Sequence, residues 1–178
     1  MKKHVVIVPG LGDRSLLYRL VKPLWKMYGY EVHVFVFGWE NEKQSFDAGI
    51  RRFVDFIDDL PSCAVYIVGA SAGGMAAVQA MAARPKIVKK VVTICTPYQT
   101  LDGMKNQRLI DSYKWVDDSL RRVGENILSL YSSRDGVVPE FSSKPDGVKS
   151  KRISTSGHAQ SIIAGLTIYS PVILRFFR

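Results

Sequence analysis

A chain of 178 residues, 47% hydrophobic and 23% charged, has the length of one domain and a globular balance, which excludes a disordered or fibrous protein. Two cysteines, Cys63 and Cys95, each beside or inside an apolar run, exclude a disulfide scaffold and read as buried free thiols in a reducing, cytoplasmic setting. The formal charge of +9 would suit an anionic partner, so its placement matters more than its total.

The opening "MKKHVVIVPGLGD" has the charged start of a leader, but its apolar run is only about five residues long and passes into a glycine loop, so it is predicted to be a first strand. Next, "SLLYRLVKPLWKMYG", 15–29, spaces Leu16, Leu17, Leu20, Val21, Leu24 and Trp25 as a helix does. Ser15 or Asp13 is available as its cap, Gly29 as its stop, and Pro23 should kink it. "EVHVFVFG" reads as a second strand, and "SFDAGIRRFVDFIDDL", 45–60, as an amphipathic helix with Phe46, Ile50, Phe53, Ile57 and Leu60 on one side. "AVYIVGAS" is a third strand running into an Ala, Gly and Met helix at 72–84, small enough to lie very close to a sheet.

A fourth strand is expected at 90–95. The stretch 98–125 is longer than a simple crossover and carries a helix at 108–122, so it reads either as a small lid or as an ordinary crossover. "NILSLYSSRDGVVPE" supplies a fifth strand and an exposed turn, "KSKRISTSGHAQ" a sixth strand and a loop, and the chain closes in a helix interrupted near Pro171. Short strands, apolar on both faces and alternating with helices, predict a single α/β domain over 1–178. Its architecture should be doubly wound, a mostly parallel six-stranded sheet of order 2-1-3-4-5-6 with helices on both faces. No stretch reaches the roughly 18 uninterrupted apolar residues of a membrane span.

In that order the switch point lies between the first and third strands, where "PGLGD" and "GASAG" should face each other across one crevice. Gly69-x-Ser71-x-Gly73 there is either a nucleophile elbow or merely a tight strand-to-helix turn, and its three fixed positions alone do not decide. A serine nucleophile needs a base and an orienting acid. Asp135 follows the fifth strand and His158 the sixth, in loops that should open on the side of Ser71. His4 and His33 fall inside strands and read as packed or edge residues. Asp102, Asp111, Asp117 and Asp118 read as solvated helix surface, and Asp13 as a cap or loop brace. The amides of Leu11 and Ala72 would form the oxyanion hole, with Gly10 and Gly12 holding the first loop forward.

Taken together, "VIVPGLGD", "VGASAGG", "YSSRDGVVP" and "SGH", in the order Ser, Asp, His, resemble the α/β-hydrolase superfamily, and within it the small capless lipases and esterases. The resemblance covers most of the chain and implies a minimal α/β-hydrolase fold without the two leading strands of full-length members. It also implies serine hydrolysis of an ester or thioester through an acyl-enzyme, with catalytic Ser71, Asp135 and His158 and neither metal nor cofactor. Ala70 and Pro9 depart from common family choices, His or a larger residue before the serine and His-Gly opening the oxyanion loop, and both positions shape the pocket wall. The substrate pocket is expected to draw on Tyr98, Leu101, Met104 and Val137.

Two alternatives stay open on the same residues: a non-catalytic binding protein on a hydrolase fold, and an acyltransferase. In a parallel sheet all strand starts share one end, so Lys2, Lys3, Lys89, Lys90, Lys149 and Lys151 should gather opposite the nucleophile, joined by Lys86, Arg175 and Arg178. That arrangement argues against an anionic substrate. It leaves weak peripheral contact with an anionic membrane, helped by the aromatic tail "ILRFFR". No nucleic-acid signature and no zinc motif occurs, and the oligomeric state is not readable.

Overall fold

The computed structural model describes residues 3–12, 15–41, 43–61 and 64–178, without the side chains of 15–17. The expectations for Lys2, Asp13 and Cys63, and for the side chain of Ser15, therefore lie outside the described residues. Six strands, β1 (Lys3–Val8), β2 (Tyr30–Val34), β3 (Val65–Ala70), β4 (Val88–Ile94), β5 (Ile127–Tyr131) and β6 (Lys149–Arg152), form one parallel sheet. Their order is β2-β1-β3-β4-β5-β6, as the alternating pattern predicts. β1 and β3 are interior strands, buried from His4 to Val8 and from Val65 to Ala70, whereas the edge strand β6, "KSKR", is exposed throughout.

Helices cover both faces. On one, α3 (Phe46–Asp58), α4 (Ala72–Ala83) and α5 (Gln107–Val123) pack over Val6, Val8, Ile67 and Val91. On the other, α1 (Ser15–Leu20), α2 (Lys22–Met27), α6 (His158–Leu166) and α7 (Ser170–Phe176) flank a core of Val5, Ile7, Val68 and Val92 with Trp25 and Phe177. α3 starts where Ser45 caps it, its side chain accepting from the Ala48 amide at 3.2 Å, and α5 starts where Asn106 does the same for Leu109 at 3.0 Å. The chain breaks between α1 and α2 at Val21, ahead of Pro23, and between α6 and α7 ahead of Pro171, because proline suits the first turn of a helix and not its interior.

α5 lies against α4, where the Ser119 hydroxyl donates to Gln79 Oε1 and an Arg122 guanidinium N–H to the Ala82 carbonyl. Between 98 and 125, therefore, the helical part packs on α4. The loop 97–106 and Leu109 in the first turn of α5 reach the Ser71 end of the sheet.

Lys3, Lys89, Lys149 and Lys151 are exposed, and Lys3 and Lys89 stand at the end of the sheet opposite Ser71; the expectation for Lys149 and Lys151 is corrected, because the short β6 enters late and pairs them with Leu128 and Leu130, level with Val68 and Ala70. The expected role of the tail is corrected: Ile173, Leu174 and Phe177 are buried, Phe177 among Trp25, Tyr30 and Tyr66, because the last turn closes the second core. Among the described residues no single helix is long and apolar enough to cross a membrane.

Candidate active site

Strand β3 delivers Ser71 at its carboxyl end with φ 51° and ψ −128°, a left-handed conformation that a residue with a Cβ occupies only when its surroundings enforce it. The enforcement is visible on both sides of the peptide. The Ser71 amide donates to the Ile94 carbonyl at 2.8 Å, and Thr96 Oγ1 donates to the Ser71 carbonyl at 2.9 Å. A Cβ at Gly73 would overlap the carbonyl oxygen of Val8, and one at Gly69 would come within 2.5 Å of Gly74 Cα, so both glycines permit the tight turn. The loop after β1 closes onto this turn, since a Cβ at Gly10 would stand 2.8 Å from Ser71 Cβ. Leu11 follows, half-exposed, and Ala72 is the first residue of α4, where the amide has no intrahelical acceptor.

Asp135 stands in the turn after β5, only 3% exposed. Its Oδ1 accepts from the amides of Val137 at 3.0 Å and Val138 at 2.7 Å, and both carboxylate oxygens lie 2.9 Å from His158 Nδ1. Burial alone would push the Asp135 carboxyl up, but the hydrogen bonds from His158 and the Val138 amide outweigh it and hold the group below its ordinary value. Asp135 is thus a carboxylate at neutral pH, and Nδ1 is the protonated nitrogen of the ring that donates to it.

Two bonds tie the acid loop to the base loop. Gly157 N donates to the Arg134 carbonyl at 2.8 Å, and Ser132 Oγ to the Thr155 carbonyl at 2.7 Å. His158 is the first residue of α6, not a loop residue as expected; Gly157, at φ 87°, turns the chain directly into the helix. Among the described residues no hydrogen bond joins Ser71 Oγ to the His158 ring. The two meet as walls of one cleft, and such contacts often close only around substrate.

That cleft has two arms sharing Leu11, Ser71 and Val137. One, about 480 Å³, runs past His158 to Tyr18, Glu40 and Ile162. The other, about 500 Å³, runs under Leu101, Met104, Leu109 and Val138. Leu101, Met104 and Val137 therefore sit where a pocket role requires. Tyr98 does not: it is 3% exposed, its hydroxyl is 2.7 Å from Thr93 Oγ1, and it packs in the core beneath α5. A buried phenol goes where its hydroxyl finds a partner, and the partner lies inside the sheet.

Glu40, Tyr18 and Ile162 had no sequence signal, since the cleft that unites them exists only in the folded chain. Cys95 was expected to be buried and free, and it is, but its Sγ also lies within 4.8 Å of the ligand atoms of Asp135 and His158. Burial first, and the Asp135 carboxylate next, push this thiol far up, so it stays protonated. With Sγ protonated and Nδ1 committed to Asp135, these three donors suit neither a cation nor a thiolate nucleophile.

The sequence matches the alpha/beta hydrolase family over residues 5–170. No functionally curated protein matches it. Among solved structures, Est1E from Butyrivibrio proteoclasticus superposes with a TM-score of 0.76 at 15% identity, over 99% of this chain and 88% of that one. A monoacylglycerol lipase from Paleococcus ferrophilus gives 0.70 at 15% identity, over 98% and 93%. A meta-cleavage product hydrolase from Pseudomonas fluorescens gives 0.73 at 16% identity, over 98% and 90%. At such identities the likeness is one of fold.

Proposed function

Because this chain belongs to the alpha/beta hydrolase family, we propose that it is a serine hydrolase that cleaves carboxylic esters or thioesters through an acyl-enzyme. The observation that carries the reading is Ser71 in a left-handed turn at the mouth of a cleft walled also by His158, whose Nδ1 is held by the buried Asp135 at 2.9 Å. A monoacylglycerol lipase among the solved structures of this fold supports the substrate class.

In this mechanism His158 Nε2 takes the Ser71 proton as Oγ attacks the acyl carbon. The imidazolium is stabilised by Asp135, which cannot rotate away because the Val137 and Val138 amides also hold it. The Ala72 amide, at the positive end of α4, and the Leu11 amide receive the oxyanion. Nε2 then protonates the departing alkoxide or thiolate. Water, deprotonated by the same nitrogen, attacks the acyl-enzyme and releases the acid.

The test is labelling with a fluorophosphonate, read by intact mass. One adduct on the wild type, lost in Ser71→Ala and slowed at least a hundredfold in His158→Ala, is the expected result. A folded protein that takes no label belongs instead to the non-catalytic binding reading, and transfer of the acyl group to added alcohol in preference to water would mark an acyltransferase.

A further inference from the structure

The two arms of the cleft are chemically unequal, and the position of the base decides what each can hold. His158 lines only one of them. Its Nδ1 is committed to Asp135, so Nε2 alone can protonate a leaving group, and that oxygen or sulfur must sit on the His158 side of Ser71 when the C–O or C–S bond breaks. The acyl chain must then point the other way, into the arm walled by Leu101, Met104, Leu109 and Val138, whose apolar side chains shield part of it from water while Asp102, Lys105 and Asn106 stand around them.

The leaving-group arm carries one carboxylate among its described lining residues, that of Glu40. Its Oε1 lies beside the oxyanion loop, 3.8 Å from where a Cβ on Gly12 would stand. A carboxylate accepts hydrogen bonds and donates none. It therefore favours a leaving group that offers hydroxyl donors and disfavours one that carries a phosphate or carboxylate.

Building on the serine-hydrolase reading, we propose that the Leu101–Met104 arm binds an apolar acyl chain and that Glu40 selects a small hydroxylated alcohol as leaving group. The substrate class is then a fatty monoester of a diol or polyol. Two further facts agree. Leu11 and Val137, at the junction of the arms, are 50% and 62% exposed, so the groove is open along its length to a flexible chain. Lys105 and Arg108 line a neighbouring groove together with Glu40, so its carboxylate acts on the leaving group as a hydrogen-bond acceptor and not as an isolated charge.

The experiment uses Met104→Trp, which fills the acyl arm at a half-buried loop position, and Glu40→Gln, which removes the charge on an exposed side chain. Both are assayed by kcat/KM on two series: 2-hydroxyethyl esters from acetate to decanoate, and the butyrates of 2-hydroxyethanol and n-propanol, whose leaving groups have equal numbers of heavy atoms. Met104→Trp is expected to lower decanoate relative to acetate about tenfold or more while leaving the hydroxyethyl-to-propyl ratio unchanged. Glu40→Gln is expected to lower that ratio about three- to tenfold, the scale of one partly exposed hydrogen bond, while leaving the chain-length profile unchanged.

The wild type and both variants are first titrated with a small fluorophosphonate. An unlabelled wild type would overturn the catalytic reading and this inference with it. Labelled proteins in which Met104→Trp shifts the alcohol ratio, Glu40→Gln shifts the chain-length profile, or neither shifts anything would overturn the assignment of the arms while leaving the serine mechanism standing.

Discussion

Asp135 shows how one side chain can be held in a single ionisation state by its neighbours. Its carboxyl is depressed below the unfolded value of about 3.9, so it contributes stability above that pH and loses the contribution as pH falls through the folded value. The stability gap between wild type and Asp135→Asn should accordingly be widest near neutrality and narrow as pH falls through the unfolded value of about 3.9, a trend that urea midpoints at pH 7 and pH 3.5 would reveal. A gap unchanged between those pH values would mean that the hydrogen bonds to His158 and the Val138 amide do not depress the acid. The same variant should lower kcat/KM by about a thousandfold or more, because the amide disturbs the tautomer that points Nε2 at Ser71. Cys95, in the same cluster, should behave oppositely to a nucleophile. In a Cys63→Ser background it should resist iodoacetamide in the native state and react fully in guanidinium, since its thiol is buried and kept protonated. Rapid native alkylation with loss of activity would instead make the thiol a participant.

At the scale of elements, the elbow is a three-way contact among β1, β3 and α4, and Gly73 is where α4 meets the backbone of β1. Gly73→Ala should cost about 1–3 kcal/mol, the range for forcing atoms into a closed interior, and should slow fluorophosphonate labelling by displacing α4 from the carbonyl of Val8. A variant with wild-type stability and labelling would show that the contact can relax. On the other side of β1, His4 Nδ1 and His33 Nε2 lie 3.0 Å apart with their rings stacked, and Phe56 abuts the second ring. Burial first, and His4 next, lower the His33 pKa below the ordinary value of about 6.5. A depressed histidine contributes stability above its unfolded pKa and loses it as pH falls, so wild type should lose more Tm between pH 7.5 and pH 5 than His33→Phe does. Equal losses would remove the pair as the cause. These elements also show what patterning can and cannot reveal. The strands were legible because a buried parallel strand is a short apolar run with a hard stop, and the placing of Ser71, Asp135 and His158 around one cleft because each follows such a stop. β4 begins at Val88, ahead of the expected 90, because Lys89 and Lys90 break the apolar run at the solvated end of the sheet without breaking the ladder. The helical position of His158 was hidden because Gly157 supplies no capping side chain. Glu40 and the histidine pair are products of tertiary contact, to which no local period points.

Across the whole molecule, one basic cluster and the candidate site sit at opposite ends of one sheet. Parallel pairing puts the starts of β1 and β4 on one side, so Lys3, Lys89 and Lys90 share an end while Ser71, Asp135 and His158 share the other; the short edge strand β6 enters late, and its Lys149 and Lys151 stand level with Val68 and Ala70. Of that basic set, Lys90 rests its ammonium 4.6 Å from the Phe176 ring and Lys89 donates to the Lys86 carbonyl. With Phe177 and Leu174 committed to the core, any attraction to an anionic bilayer must be electrostatic and not driven by an inserted tail. Each lysine near such a surface contributes about 1 kcal/mol, so reversing Lys3, Lys86, Lys89 and Lys90 to Glu should lower partition onto phosphatidylserine vesicles by more than a hundredfold at low salt. Rising salt should weaken wild-type binding in the same direction, because the charges involved are exposed. Hydrolysis of a soluble short-chain ester should be unchanged in the reversed protein, since all four residues lie at the far end of the sheet from the cleft. Vesicle retention that survives both the reversals and high salt would rule out this face as the contact, and would move attention to the exposed Leu11, Val137 and Phe141 around the mouth of the cleft.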